Sequence, residues 1–340
     1  MGYIVLMSLH SLRKCSTLLF SHLADTNSSY RNNPIEDTSS FYTSAFSPTL
    51  RYTFFGVFDG HNGASTAHKL AGDLPEAVCL HLTDVYSKRS PEPSRPGEPP
   101  DPRPGSDEIH AAIKAAFVEV DDLIVHEAAR RVLALTEEEY RSLNEGVESQ
   151  ASESDAESQT RSIPRTEGMK SLKEAYAGSC AILGIYNNLE RTLHVALTGD
   201  SRAVLGRRRV QEPVPEHEPV VGNPSTTTRK FVYEVHELSA DQNANNVKEA
   251  ERLTALHPDE PELLKNGRVL GWGPARAFGD GVMKWSVALQ KRLWKEFLGD
   301  WPKDTLKTPP YFTAEPEVTT FEGVKRGISS FLLLMGCGIL

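Results

Sequence analysis

The most constraining feature of the chain is a run of aromatic and β-branched residues that ends in a tight turn. Residues 52–58 read Tyr-Thr-Phe-Phe-Gly-Val-Phe and are followed directly by Asp59-Gly60. Such side chains favour the pleated, half-buried surface of a sheet, and Asp-Gly is a turn-forming pair. The run therefore predicts a buried strand that delivers a carboxylate to the edge of a sheet.

Helical and strand-like patterns are interleaved around this run. Residues 64–82 and 109–135 have the apolar spacing of amphipathic helices, and Pro75 is expected to bend or end the first one. Runs at 179–186 and 192–198 predict a β-hairpin. Further strands are predicted at 203–207, 231–238 and 313–321, and a further helix at 246–256. Because both patterns recur around the same turns, one interleaved α+β domain is predicted.

Polar tracts and an N-terminal extension define the predicted domain organisation. Residues 88–108, rich in proline and charge, and residues 144–165, rich in Ser, Glu and Gln, are predicted to be surface insertions. Residues 1–21 lack acids and contain basic residues, so they fit either a mitochondrial presequence or an irregular N-terminus without a targeting role. The remaining residues, 22–340, constitute the predicted domain.

The composition excludes several classes of function. Lys and Arg number 37 against 46 Asp and Glu, so the formal net charge of −9 argues against bulk electrostatic binding of nucleic acid. Apolar stretches such as residues 331–335 are far shorter than the ~20 residues that cross a bilayer, so no membrane span is predicted. Four widely spaced cysteines argue against a disulfide framework or a CxxC zinc site.

Three acidic turns carry the chemistry that the residues themselves suggest. Glu36-Asp37, Asp59-Gly60 and Gly199-Asp200 each lie beside a predicted strand or tight turn, so their carboxylates can converge at one edge of a sheet. Carboxylates held close together repel one another unless cations lie between them. Oxygen ligands select Mg²⁺, Mn²⁺ or Ca²⁺, and two such ions can activate a water molecule for attack on a phosphoryl group.

The motif around the second acidic turn resembles a known family. Residues 54–63, Phe-Phe-Gly-Val-Phe-Asp-Gly-His-Asn-Gly, are similar to the most distinctive motif of the PP2C (PPM-type) metal-dependent protein Ser/Thr phosphatases. Further family motifs follow in order at residues 178–181, 194–205, 238–243, 276–280 and 314–318. Within the family, the mitochondrial pyruvate dehydrogenase phosphatase branch is matched at residues 32–37, 250–258, 268–271, 284–286 and 308–311.

The resemblance implies a fold and a metal site. The implied fold is a four-layer αββα sandwich, two antiparallel sheets flanked by helices, which would be incomplete at the C-terminus of this chain. A site for two Mg²⁺ or Mn²⁺ ions would lie at one end of the sandwich. By position, Asp37 and Asp59 would be metal ligands, Gly60 would contribute its carbonyl oxygen, and Asp200 would match the position of a third, looser ion.

Other positions would act on the substrate. The resemblance implies that Glu36 orients metal-bound water, and Asn32 stands where most of the family has a phosphate-binding arginine. His61 is either the general acid for the leaving serine or threonine oxygen or a structural turn histidine. Arg276 and Asp280 are predicted to brace the loop beneath the site.

The implied function is hydrolysis of phosphoserine or phosphothreonine by a metal-bridged hydroxide. The implied substrate is the pyruvate dehydrogenase E1 α subunit, which places the protein in the mitochondrial matrix, with the cytoplasm as the alternative. Two other hypotheses remain open. One is a non-catalytic module that binds phosphoproteins, and the other is a general PP2C phosphatase with a different substrate.

The chain departs from the family near its C-terminus. Cys337 stands where the family has a metal-ligating aspartate, and the sequence stops three residues later, before a further family aspartate. A soft thiol is a poor substitute for a hard oxygen ligand. The polypeptide of residues 1–340 is therefore expected to have little phosphatase activity, either as a truncated form of an ordinary enzyme, which we favour, or as a pseudophosphatase.

Overall fold

The computed structural model of the chain describes residues 4–8, 21–22, 35–88, 103–146, 163–210, 231–322 and 330–336. Among the predicted site residues, Asn32 lies outside these ranges, and so does Cys337. Most of each predicted polar insertion also lies outside them, although residues 106–108, assigned to the first insertion, form the first turn of a helix. Within the described ranges, none of the helices combines the length and the apolar character that a membrane span needs.

The secondary structure follows the predicted alternation of helices and strands. The strands are β1 (Ile4–Ser8), β2 (Ser21–His22), β3 (Thr38–Ala45), β4 (Arg51–His61), β5 (Gly178–Asn187), β6 (Thr192–Thr198), β7 (Arg202–Val210), β8 (Phe231–Glu237), β9 (Leu264–Lys265), β10 (Arg268–Val269), β11 (Phe278–Gly279), β12 (Glu317–Phe321) and β13 (Ser330–Met335). The α-helices are α1 (Ser65–Ser87), α2 (Ser106–Asp122), α3 (Ala128–Val132), α4 (Glu137–Asn144), α5 (Arg165–Ser171), α6 (Lys173–Tyr176), α7 (Val247–Leu256) and α8 (Val287–Phe297). A π-helical segment (Leu123–Glu127) joins α2 to α3, and a 3₁₀ turn (Gly281–Met283) precedes α8.

Two antiparallel sheets form the centre of the molecule. In the first sheet the strand order is β12-β6-β5-β4-β3, with β11 attached to β5, and in the second it is β2-β1-β13-β7-β8. The second sheet includes β1, which pairs with β13 along its whole length, so the predicted N-terminal extension of residues 1–21 contributes a strand to the sheet. The predicted hairpin of β5 and β6 is confirmed.

Strand β4 shows why the sandwich forms. Successive side chains of a strand point to opposite faces of its sheet, so an apolar run without polar interruptions must be covered on both faces. Phe54 and Phe58 pack among the helices, in the same core as Leu70 of α1. Phe55 and Val57 pack between the two sheets. The predicted α+β sandwich of two antiparallel sheets with flanking helices is confirmed.

Helix α1 does not end at Pro75, which was one of the two effects predicted for this residue. The helix continues through Pro75 to Ser87. Pro75 is buried, and so are Leu74, Val78 and Leu82 on the same helix. We attribute the continuation to this burial, because packing of the apolar face opposes the loss of one backbone hydrogen bond at proline.

A pair of histidines, of which His194 is buried and His110 partly exposed, joins the helix layer to the first sheet. His110 Nε2 of α2 and His194 Nδ1 of β6 both contact Thr320 Oγ1 of β12, at 2.7 and 2.8 Å. The hydroxyl can donate to one ring nitrogen and accept from the other only if one ring presents a bare nitrogen and the other presents an N–H group. Burial, together with the charge of His110, lowers the pKa of His194 to about 4. Both rings are therefore neutral partners in this contact at neutral pH.

We expect this histidine pair to make stability depend on pH. The unfolded state binds a proton near pH 6.5 and folded His194 only near pH 4, so stability is present above pH 6.5 and is lost as the pH falls towards 4. The loss from His194 is up to about 3 kcal/mol. Urea unfolding at several pH values should show that the free energy of unfolding depends less steeply on pH for His194→Gln than for the wild type. His68→Gln, exposed on α1, should keep the wild-type slope, and an unchanged slope for His194→Gln would contradict the assignment.

Candidate functional site

The register of β3, β4 and β5 brings the predicted site residues to one end of the first sheet. Thr38 at the start of β3 lies opposite Phe58 of β4, so Asp37, one residue earlier, lies beside Asp59. On the other side of β4, Asp59 lies opposite Cys180, and His61 lies opposite Gly178. The start of β3, the end of β4 and the start of β5 therefore meet at the same edge of the sheet.

Asp37 and Asp59 form a pair of carboxyl groups at this edge. The side chain of Asp37 is hydrogen-bonded to that of Asp59, and only 8% of Asp37 is exposed. Burial raises the pKa of Asp37, although its contact with the Asp59 side chain and its hydrogen bond from the Gly60 backbone N–H partly lower it. Two adjacent carboxyl groups supply the hard oxygen donors that Mg²⁺ or Mn²⁺ prefers, and a cation between them would offset their mutual repulsion.

Glu36 fixes the turn that follows β4. Its Oε1 accepts a hydrogen bond of 2.7 Å from the Gly63 backbone N–H. Gly60 packs so closely against the Glu36 carbonyl that an added Cβ would overlap it. The turn thus depends on glycine at position 60 and on the Glu36 carboxylate. The proposed role of Glu36 towards metal-bound water remains a prediction.

His61 is held by an aspartate from a distant part of the chain. Its Nε2 lies 2.7 Å from Oδ2 of Asp280, which is fully buried and adopts a left-handed backbone conformation after β11. Burial lowers the pKa of His61, but the charge and hydrogen bond of Asp280, with further charge from Asp59 and Asp200, raise it overall. Asp280, predicted to brace the loop, therefore contacts the candidate general acid directly.

Asp200 lies at the same edge, at the end of β6. The Cys180 thiol donates a hydrogen bond of 3.3 Å to Asp200 Oδ1. Burial raises the pKa of Cys180 well above its usual value, and the charges of Asp200 and Asp59 add to the shift, so the sulfur remains a thiol donor. Asp200 is therefore close enough to His61 and Cys180 to act on both electrostatically.

The donor set fits a divalent cation only in part. Asp37, Asp59 and the Gly60 backbone are close together, but no group of three His, Cys, Asp or Glu side chains that could hold an ion occurs in the part of the chain that the structure describes. The described carboxylates thus offer two strong ligands, and the metal-binding roles of Asp37, Asp59, Gly60 and Asp200 remain predictions.

A buried ion pair that sequence analysis missed supports the Asp280 loop. Lys284 Nζ lies 2.5 Å from Asp121 Oδ2 and donates 2.8 Å to the Ala277 carbonyl. Asp121 Oδ1 accepts a 2.9 Å hydrogen bond from the Gly279 backbone N–H, next to Asp280. Burial raises the pKa of Asp121, and the Lys284 ammonium opposes this. Lys284 lies in the family-branch motif at residues 284–286, but nothing in the spacing of α2 marks Asp121 as its partner.

Arg276, the other residue predicted to brace the loop, anchors the same segment. Its guanidinium binds Glu249 of α7, and its Nη1 donates 2.7 Å to the Glu315 carbonyl. Glu249 also binds Arg252 and is only 2% exposed. The structure thus shows Arg276 in structural contacts, in agreement with its predicted role.

Comparisons with known proteins identify relatives of the chain. The family model described as protein phosphatase 2C matches residues 101–340, well over half of the chain. A pyruvate dehydrogenase phosphatase 1 of Saccharomyces cerevisiae, described as mitochondrial, is 31% identical over 83% of this chain and 40% of its own length. A protein phosphatase 2C homolog of Schizosaccharomyces pombe is 34% identical over 93% of this chain and 59% of its own. A rat pyruvate dehydrogenase phosphatase 1, also described as mitochondrial, is 31% identical over 87% of this chain and 54% of its own. The chain therefore spans roughly half the length of these curated relatives.

Proposed function

Because the chain belongs to the protein phosphatase 2C family, we propose that it is a Mg²⁺- or Mn²⁺-dependent protein Ser/Thr phosphatase. The observation that carries the proposal is the Asp37–Asp59 carboxyl pair beside the His61–Asp280 contact. Phosphoester hydrolysis needs a cation site next to a proton donor for the leaving oxygen, and these two pairs supply those groups at one edge.

The residues of the chain divide the chemistry between them. When bound, the cation supplies an activated water molecule and neutralises phosphoryl charge. Asp37, Asp59 and the Gly60 carbonyl would hold it. Asp280 occupies Nε2 of His61, which leaves Nδ1 as the ring nitrogen that would carry a proton to the leaving oxygen. The buried aspartate fixes the orientation of the ring for that transfer.

The proposed substrate is a phosphoserine of the pyruvate dehydrogenase E1 α subunit, and the proposed compartment is the mitochondrial matrix. The support comes from the yeast and rat relatives, which are described as mitochondrial pyruvate dehydrogenase phosphatases. A general PP2C phosphatase with another phosphoprotein substrate is distinguished by its preference among phosphopeptides. Cytosolic location of a tagged full chain would count against the matrix assignment.

The proposal is tested by removing one carboxylate of the pair. Asp59→Asn should weaken Mn²⁺ binding by the polypeptide 1–340 at least about tenfold, because one of two charged ligands is lost. Mn²⁺ electron paramagnetic resonance measures binding, and phosphate release from a phosphorylated E1 α peptide measures turnover, which we expect to be slow. Asp73→Asn, which changes only an exposed ion pair on α1, is the control. Equal Mn²⁺ affinity in Asp59→Asn and the wild type would contradict the proposal.

A second candidate function is a non-catalytic module that binds phosphoproteins. It is favoured by the finding that the described residues contain no group of three metal-binding side chains. The same measurements separate the two functions. Retained binding of a phosphopeptide, without Mn²⁺ binding and without phosphate release, would support the module and exclude the phosphatase for this polypeptide.

A further inference from the structure

A tryptophan lies beside the candidate general acid. The ring centroids of Trp272 and His61 are 6.2 Å apart in an edge-on arrangement. Backbone hydrogen bonds in both directions tie Trp272 to Val269 at the end of the β9–β10 hairpin. On another side the indole meets Phe312 edge-on, at 6.0 Å. The indole is thus held in place by the hairpin and by Phe312, and it remains partly exposed.

Two cationic side chains lie near Trp272, one at its ring and one at the backbone carbonyl that precedes it. Lys303 Nζ lies 5.8 Å from the Trp272 ring centroid, within the range of a cation–π contact. Arg268 of β10 donates a 3.2 Å hydrogen bond to the Gly271 carbonyl, next to Trp272. Both residues are exposed, and no carboxylate of the described residues forms an ion pair with either of them. Nearby Lys265, in contrast, is paired with Glu262.

These cations lie near an edge of the first sheet that is itself negatively charged. Asp59, Asp200 and Asp280 all act electrostatically on His61, so an anionic ligand meets negative charge at the edge itself. Arg268 and Lys303 supply positive charge just beyond it, on the side of Trp272. Cations that have no carboxylate partner and lie beside an aromatic face attract anions and bind them in a defined position.

We propose that Trp272, Lys303 and Arg268 form a subsite for an anionic side chain of the substrate, which extends the phosphatase function proposed above. The anion is a carboxylate or a second phosphoryl group. The two measured separations place the Lys303 ammonium within about four residues of extended peptide from His61, at about 3.3 Å per residue. The preferred substrate therefore carries an acidic or phosphorylated residue up to about four positions from the phosphoserine.

The test is a set of phosphoserine peptides of one length that differ only in the flanking positions. Ala, Lys, Glu or a second phosphoserine is placed two to four residues from the first, and fluorescence anisotropy measures binding to the polypeptide 1–340. We expect the Glu and doubly phosphorylated peptides to bind at least about fivefold more tightly than the Ala peptide, and the Lys peptide to bind more weakly. The ratio of the Glu and doubly phosphorylated affinities identifies the source of the anion.

Matched variants assign this preference to the subsite. Lys303→Glu should invert the ranking, so that the Lys peptide binds best, whereas Lys291→Glu, exposed on α8, should keep the wild-type ranking. Trp272→Ala should weaken the binding of every phosphopeptide severalfold. Trp301→Ala, which changes an exposed tryptophan packed on Trp294, should leave phosphopeptide binding unchanged. Circular dichroism confirms that each variant is folded.

The outcomes separate the subsite from the function on which it rests. A wild-type ranking in Lys303→Glu, or equal affinity of the wild type for Ala and Glu peptides, would overturn the subsite even if phosphate is released. Preference for the acidic peptides without Mn²⁺-dependent phosphate release would retain the subsite and refute the phosphatase. Absence of any phosphopeptide binding by the wild-type polypeptide would refute the subsite.

Discussion

Removing either member of the Asp121–Lys284 pair is expected to lower the free energy of unfolding by about 3–5 kcal/mol. Each side chain is nearly inaccessible to water, so the remaining charge would be buried without its counter-ion. Such a change shifts the unfolding equilibrium by about two to four orders of magnitude and is a large part of the stability of an ordinary domain.

Both side chains of the pair also form hydrogen bonds with the backbone, and an uncharged replacement can keep some of these bonds while it removes the charge. Asp121→Asn keeps an acceptor for the Gly279 N–H but leaves the Lys284 ammonium unpaired. Lys284→Met removes the ammonium, including its bond to the Ala277 carbonyl, and leaves the Asp121 carboxylate unpaired. The double variant has no charge at either position of the pair. It should therefore be more stable than the sum of the single changes predicts.

Urea unfolding of the four proteins of this double-mutant cycle measures the effect. Lys69→Met, which breaks the exposed ion pair with Asp73 on α1, is the control and should cost less than about 1 kcal/mol. Single variants that lose less than about 1 kcal/mol, or a double variant that loses the full sum, would show that the pair is not an essential part of the core.

The second large effect is expected from Gly178→Ala at the start of β5. An added Cβ there would overlap both His61 Nε2 and Asp280 Oδ1, so the His61–Asp280 hydrogen bond could not persist unless the backbone moved. Overpacking against a buried, fixed side chain costs typically up to about 3 kcal/mol. We expect a loss of this size, together with a changed His61 resonance in the side-chain ¹H–¹⁵N spectrum.

Two further variants make the explanation specific. Gly178→Ala combined with Asp280→Gly removes one of the two overlapping side chains, and glycine tolerates the left-handed backbone at position 280, so part of the lost stability should return. Gly72→Ala, in α1 with no atom within contact distance of the new methyl group, should be neutral or stabilising. If Gly178→Ala were as stable as Gly72→Ala and left the His61 resonance unchanged, the overlap would not be real.

Short-range patterns in the sequence were sufficient for most of the first sheet. The apolar run of β4 and the hairpin of β5 and β6 were predicted, because alternation and turn residues act over neighbouring positions. The position of Asp37 beside Asp59 also follows from turns at the ends of adjacent strands. The family motifs added the order of these elements along the chain, and the family model matches residues 101–340.

The tertiary structure alone decided which distant residues meet these turns. His61 contacts Asp280 across 219 positions of sequence, and Asp121 contacts Gly279 across 158, so neither pairing is encoded in local spacing. Likewise, α1 continues past Pro75, where burial of the surrounding residues outweighs local propensity, and β1 joins the second sheet through its pairing with β13. The sequence by itself determined the central strands β4 to β8, the acidic turns and the family. The partners of His61, and the cations beside Trp272, are set by packing, because long-range contacts depend on how whole layers meet.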